Sequence, residues 1–128
     1  MCYTSKALII HINRHRDVRA LDGFYFEIKG ELMKHFKELN LSNELLNAIE
    51  EIGYTKPTEI QSQTIPLIME GHDIIGLSKT GSGKTAAFSI PTLELLDTDS
   101  TVPQLLVIAP TRELALQIAG EIKRLSSH

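Results

Sequence analysis

The order of elements in this sequence, helix, helix, strand, helix, strand, helix, predicts an α/β fold with a parallel sheet flanked by helices. Three observations carry the prediction. From residue 41 onward, apolar residues at helical spacing alternate with short apolar runs. A turn rich in Ser, Thr and Gly, residues 78–83, separates one such run from a helix. Residues 104–109, QLLVIA, are continuously apolar after the first position, as a strand covered on both faces requires.

Each element has its own signal. Leu41, Leu45, Ala48, Ile49 and Ile52 follow helical spacing, with Ser42 as cap, Glu44 suited to the positive helix end and Gly53 as stop. Thr58 caps a second helix through Ile60, Thr64, Ile65 and Ile68, closed by Gly71. Pro66 is expected to kink or split it, because proline lacks an N–H and crowds the preceding turn. Residues 73–77 read as a short strand. Residues 84 to about 96 are apolar nearly all round, as in a buried helix, with a bend expected at Pro91. Thr111 caps the last helix, whose Leu114, Ile118, Ile122 and Leu125 form one stripe. Upstream, Ala7, Leu8, Ile9, Ile10 and Ile12 fit a short strand, as do the aromatics Phe24, Tyr25 and Phe26, but neither period is sustained.

Composition narrows the function classes. With 128 residues, 42% hydrophobic and 23% charged, the chain is expected to be one soluble domain. A net charge of -3 argues against holding nucleic acid by bulk electrostatics, so any such contact must be local. Residues 1–32 carry five basic and four acidic side chains, and 33–128 carry eight and twelve, so the first segment stands apart. Cys2 is the only cysteine, which excludes an internal disulfide and suits a reducing, cytoplasmic setting. No run approaches a membrane span or a signal-peptide core. His11 and His15 lie four apart, but no third ligand accompanies them, and they read as solvated surface residues.

The residues that carry chemistry are Ser78-Lys79-Thr80-Gly81-Ser82-Gly83-Lys84-Thr85, between an expected strand and an expected helix. A phosphate chain needs backbone N–H groups converging on it, which Gly81 and Gly83 permit through backbone angles closed to other residues. The helix start that follows adds partial positive charge, Lys84 can reach the outer phosphates, and the Thr85 hydroxyl can hold Mg2+. Such loops usually open with Gly or Ala where this chain has Ser78. The residue is still small, but its hydroxyl can alter local hydrogen bonding. A phosphate-binding loop alone leaves the enzyme class open.

Upstream, Gly53-Tyr54-Thr55-Lys56-Pro57-Thr58-Glu59-Ile60-Gln61, with Phe36 seventeen positions before Gly53, resembles the Q motif of DEAD-box RNA helicases. Read singly, Gln61 is a polar residue near a helix start and Phe36 a core or surface aromatic. The resemblance implies more: the Gln61 amide matches the adenine edge, a donor and an acceptor together, and Phe36 covers the base, with Tyr54 and Lys56 nearby. Pro110-Thr111-Arg112-Glu113-Leu114-Ala115 resembles motif Ia, which implies that residues 110–113 hold an RNA backbone. On its own that stretch reads as a capped helix start with solvated charges.

The resemblance covers residues 33–128, with the Q motif at about 36–61, the phosphate loop at 78–85 and motif Ia at 110–115. It implies a P-loop, RecA-like domain, incomplete in this chain, from an enzyme that couples RNA-stimulated ATP hydrolysis to local RNA unwinding. Lys84 and Thr85 would be its catalytic residues here, ATP and Mg2+ its ligands and RNA its partner, with no obligate protein partner implied. The family's Asp-Glu-Ala-Asp and Ser-Ala-Thr motifs and second RecA-like domain do not occur in these residues. The expectation is therefore weak nucleotide binding, no turnover by the chain alone and poor folding, with residues 1–32 as an extension outside the helicase fold. The alternatives are a non-enzymatic nucleotide-binding fragment and an unrelated small kinase with the same loop.

Overall fold

A computed structural model describes residues 6–10 and 33–127. In chain order the elements are β1 (Lys6–Ile10), a 3-10 turn at Phe36–Leu39, α1 (Asn43–Glu51), α2 (Glu59–Met69), β2 (Ile74–Ser78), α3 (Lys84–Glu94) and α4 (Arg112–Leu125). All four expected helices form.

Their ends follow from local chemistry. The Ser42 hydroxyl accepts from Leu45 N at 3.4 Å to start α1, and Thr111 does the same for Leu114 N at 3.2 Å to start α4. At α2, Thr58 and Gln61 form a reciprocal capping box. Helices α1 and α2 stop in the same way. Gly53 N donates to Glu50 O and Tyr54 N to Ile49 O; Gly71 N donates to Ile68 O and His72 N to Leu67 O.

Helices α2 and α3 pack face to face. Ile65 and Ile68 of α2 and Ala86 and Ile90 of α3 are fully buried between them. The larger core cluster joins Ile65, Ala86 and Ile90 to Phe36, Leu39, Leu41, Leu45, Ile49 and Leu125; the smaller comprises Ile68, Phe88 and Ile118. Burying side chains of this size supplies about 1.5 to 3 kcal/mol each. Glu94 at the end of α3 ties the layer to α1, its Oε2 accepting from Ser42 N at 2.9 Å and Ser42 Oγ at 2.8 Å. A carboxylate at a helix N-terminus also complements the helix dipole.

Neither internal proline splits its helix; α2 runs through Pro66 and α3 through Pro91. Pro91 has no N–H to offer the Ala87 carbonyl four residues back. The Thr64 hydroxyl of α2 stands 3.5 Å from that oxygen, while bonded more closely to Ile60 O at 2.7 Å. Packing thus places a donor beside the acceptor that proline leaves unserved.

The sheet differs from the parallel one expected. Among the described residues it has two strands, β1 and β2, paired antiparallel from Lys6↔Ser78 to Ile10↔Ile74. Residues 104–109 join no ladder there. They keep a strand's two-fold alternation: Leu105, Val107 and Ala109 are partly buried, whereas Leu106 and Ile108 are 82% and 85% exposed. Val107 and Ala109 pack on the Ile68, Phe88 and Ile118 cluster, so the helices cover one face of the run. An apolar pattern records that a segment suits a sheet; the ladder itself needs a neighbouring backbone. The expectation for residues 11–32 lies outside the described residues.

Candidate functional site

Strand β2 ends at Ser78 and helix α3 begins at Lys84, so residues 79–83 form the turn that the sequence marks as a phosphate loop. Gly83, at the cap position of α3, has φ 88° and ψ 22°. That left-handed conformation favours glycine. A Cβ there would stand 2.5 Å from Gln61 Nε2 and 3.1 Å from Thr58 Oγ1, so the loop is pressed against the start of α2.

The Lys84 ammonium turns back into this loop. It donates to Ser78 O and Lys79 O, each at 2.6 Å, and stands 3.2 Å from Ser78 Oγ and 3.5 Å from Ser82 Oγ. The Ser78 and Ser82 hydroxyls are themselves 2.6 Å apart. Thr85 follows in the first turn of α3, partly buried; Thr80 and Gly81 are exposed. A lysine held inside a turn at a helix N-terminus concentrates positive potential where backbone N–H groups also point outward.

Gln61 is 4% exposed and joins α2 to the loop. Its Oε1 accepts from Thr58 N at 2.9 Å and its Nε2 donates to Gly83 O at 3.2 Å. The first bond is half of the α2 cap; the second spans the interface with α3. A glutamine that caps one helix and fixes the start of another makes Thr58, Gln61 and Gly83 one unit.

Phe36 is 5% exposed and stacks on Tyr54, with centroids 6.5 Å apart and planes 20° from parallel. In this arrangement Phe36 belongs to the core and presents no open ring face. The Tyr54 hydroxyl donates to Glu121 Oε1 of α4 at 2.8 Å. Burial, and then the hydrogen bond and charge of Glu121, push the phenol up to about 12, against a smaller opposing effect of Arg124. Lys56 is exposed. Pro110, Thr111, Arg112 and Glu113 are exposed where the extended segment enters α4, with the Thr111 hydroxyl engaged as its cap.

The structure therefore assembles two groups of expected site residues, Ser78, Lys79, Ser82 and Lys84 in one and Gln61 with Gly83 in the other. It places Phe36 with Tyr54 and leaves residues 110–113 on an open surface. Sequence reading missed Glu121, the partner of Tyr54, because 67 residues separate them and nothing local links the two. It also missed the coupling role of Thr58, although a Thr three residues before a Gln carries the capping-box signature.

Comparison with known proteins bears on this geometry. Residues 58–128, more than half of the chain, match the DEAD/DEAH box helicase family. The chain belongs to that family. The DEAD-box match takes in the capping box, the phosphate loop and α4. The chain is 48% identical over 99 residues to the ATP-dependent RNA helicase DeaD of Escherichia coli K12, covering 77% of this chain and 16% of that protein. Among solved structures, a DEAD box protein from Methanococcus jannaschii is 42% identical, with a TM-score of 0.65 over 73% of this chain and 26% of that one. Dbp5 of S. cerevisiae bound to RNA and ADP BeF3 is 36% identical, with a TM-score of 0.65 over 73% of this chain and 24% of that one. The α/β, RecA-like reading of a DEAD-box helicase thus stands, and this chain spans about a sixth of the DeaD relative's length.

Proposed function

We propose that these residues are the ATP-binding portion of an ATP-dependent RNA helicase that couples RNA-stimulated ATP hydrolysis to local opening of RNA duplexes in the cytoplasm. The observation that carries the reading is the pairing of two features on one rigid piece: Lys84 turned into the loop, and Gln61 bonded to Gly83 O at 3.2 Å. A side chain able to read a base and a loop able to hold phosphates then move together.

In this proposal Lys84 leaves its carbonyl partners for the outer phosphates, and N–H groups of residues 79–83 and of the α3 N-terminus take the remaining oxygens. The Thr85 hydroxyl is a hard oxygen donor in the first turn of α3 and would be the group of this chain that holds Mg2+ there. Bound there, Mg2+ would neutralise charge developing between the phosphates. Gln61 has one amide N–H and one oxygen lone pair beyond the two bonds it makes, the set that an adenine edge complements. Tyr54 and Lys56 flank the base, with the Phe36 ring uncovered as the base arrives. Pro110, Thr111, Arg112 and Glu113 lie open for an RNA backbone, in keeping with the RNA-bound relative.

Titrations of ATP and GTP test the reading. The chain should prefer ATP, Gln61→Ala should erase the preference, and Lys84→Ala should weaken both nucleotides alike. An ATP to GTP ratio unchanged by Gln61→Ala would remove the adenine assignment. Arg112→Ala should weaken RNA binding uniformly across sequences and lower the salt slope by about 1.

A further inference from the structure

We propose that Ser78 is a positioning residue whose hydroxyl latches the phosphate loop shut around Lys84 and so sets how fast a polyphosphate is admitted. The proposal rests on the reading of this loop as a phosphate site and adds a gate to it.

Ser78 O and Lys79 O both point at the Lys84 ammonium from 2.6 Å. Any residue at position 78 has a backbone carbonyl, so the first of these bonds does not depend on its side chain. What depends on serine is the hydroxyl, which lies 2.6 Å from Ser82 Oγ and 3.2 Å from Lys84 Nζ. It bridges the end of β2 to the far side of the turn and gives the ammonium another oxygen. Among the described contacts of the ammonium, two are to carbonyls, and the Ser78 and Ser82 hydroxyls stand at 3.2 and 3.5 Å from the same nitrogen.

A phosphate oxygen cannot enter while these oxygens surround the lysine, since it would meet the negative ends of two carbonyl dipoles. Admission requires Lys84 to leave them and the turn to open. Gly81 and Gly83, at φ 77° and 88°, bracket Ser82. The hydroxyl pair spans the turn they shape. Breaking it is therefore part of opening, and a small residue without a hydroxyl at position 78 removes that resistance while leaving the carbonyls in place.

Stopped-flow binding of a fluorescent ADP analogue to the full 128-residue chain tests this. Ser78→Ala should raise the association rate about two- to tenfold, the range that one hydroxyl hydrogen bond covers, with dissociation unchanged. Ser82→Ala should match it, the double variant should add nothing further, and Ser78→Thr, which keeps the hydroxyl, should bind at the parent rate. A second readout needs no nucleotide: amine-labelling of Lys84, followed by mass spectrometry, should accelerate in Ser78→Ala. Unchanged or slower association, or additive effects of the two alanines, would overturn the latch and leave the nucleotide reading intact. Absence of binding by the parent and every variant would overturn both.

Discussion

Two apolar stretches of this protein meet opposite fates. In the layer made by α2 and α3, Ile65, Ile68 and Ile90 are fully buried, each lodged between two helices. In residues 104–109, Leu106 and Ile108 stand 82% and 85% exposed although the run is as apolar as either helix. The difference is one of partners. The helices carry their own backbone hydrogen bonds and need only a complementary face. An extended run needs a neighbouring strand for its backbone and a cover for each face, and among the described residues this one has a single helical cover. Apolar character says how much a segment gains from burial; which segments achieve it is decided by what stands beside them.

The largest expected effect sharpens that contrast. Ile65→Ala should cost about 2 to 5 kcal/mol, seen as a lower midpoint in urea unfolding, because it opens a cavity between α2 and α3. Ile108→Ala should stay within about 0.5 kcal/mol of the parent. Equal costs would break the comparison. Hydrogen exchange should divide the same way, with α2 and α3 amides protected and those of residues 105–108 exchanging rapidly.

Next in size is Gly83→Ala, at about 2 kcal/mol. It forces a left-handed backbone on alanine, worth about 1 to 2 kcal/mol, and sets a methyl group 2.5 Å from Gln61 Nε2. Gly81→Ala suffers the same backbone cost with nothing within 4 Å of the added carbon. The gap between the two, measured by thermal unfolding, isolates the contact between the α2 cap and the loop.

Tyr54→Phe should cost about 1 kcal/mol by removing the bond to Glu121, a polar tie to α4 beside the apolar contacts of Ile118 and Leu125. The folded-state phenol lies above its ordinary value of about 10, so its contribution is full below pH 10 and is lost as pH rises toward about 12. The parent should lose stability over that window more steeply than Tyr54→Phe. The smallest change has the opposite sign. The Ser89 hydroxyl is buried in α3 with no hydrogen-bond partner among the described residues. Ser89→Ala should therefore stabilise by up to about 1 kcal/mol, with a raised unfolding midpoint as the readout.

How much of this was legible depended on the range of each interaction. The four helices, with caps at Ser42, Thr58 and Thr111 and stops at Gly53 and Gly71, are written locally and formed as expected. The loop from Ser78 to Thr85 was legible because its chemistry is contiguous. Apolar residues 7–10 suited a strand, but their pattern names neither the partner β2 nor the antiparallel direction. Ser78 could be marked as unusual, whereas its contact with Ser82 depends on how the turn closes. Phe36 read singly as a core or surface aromatic and, through the resemblance, as the cover of a base; its stacking on Tyr54, eighteen residues away, had no local signal.

The two bonds of Gln61 also settle which end of its amide is which. Thr58 presents an N–H and Gly83 a carbonyl, so turning the amide by half a revolution would set donor against donor and oxygen against oxygen. A glutamate could keep the first bond, but a charged carboxylate would face the Gly83 carbonyl with no proton to give. The polarity of this side chain is thus decided when α2 docks on α3, before any ligand arrives. In the proposed contact with adenine, the amide would therefore not have to choose its orientation when the base arrives.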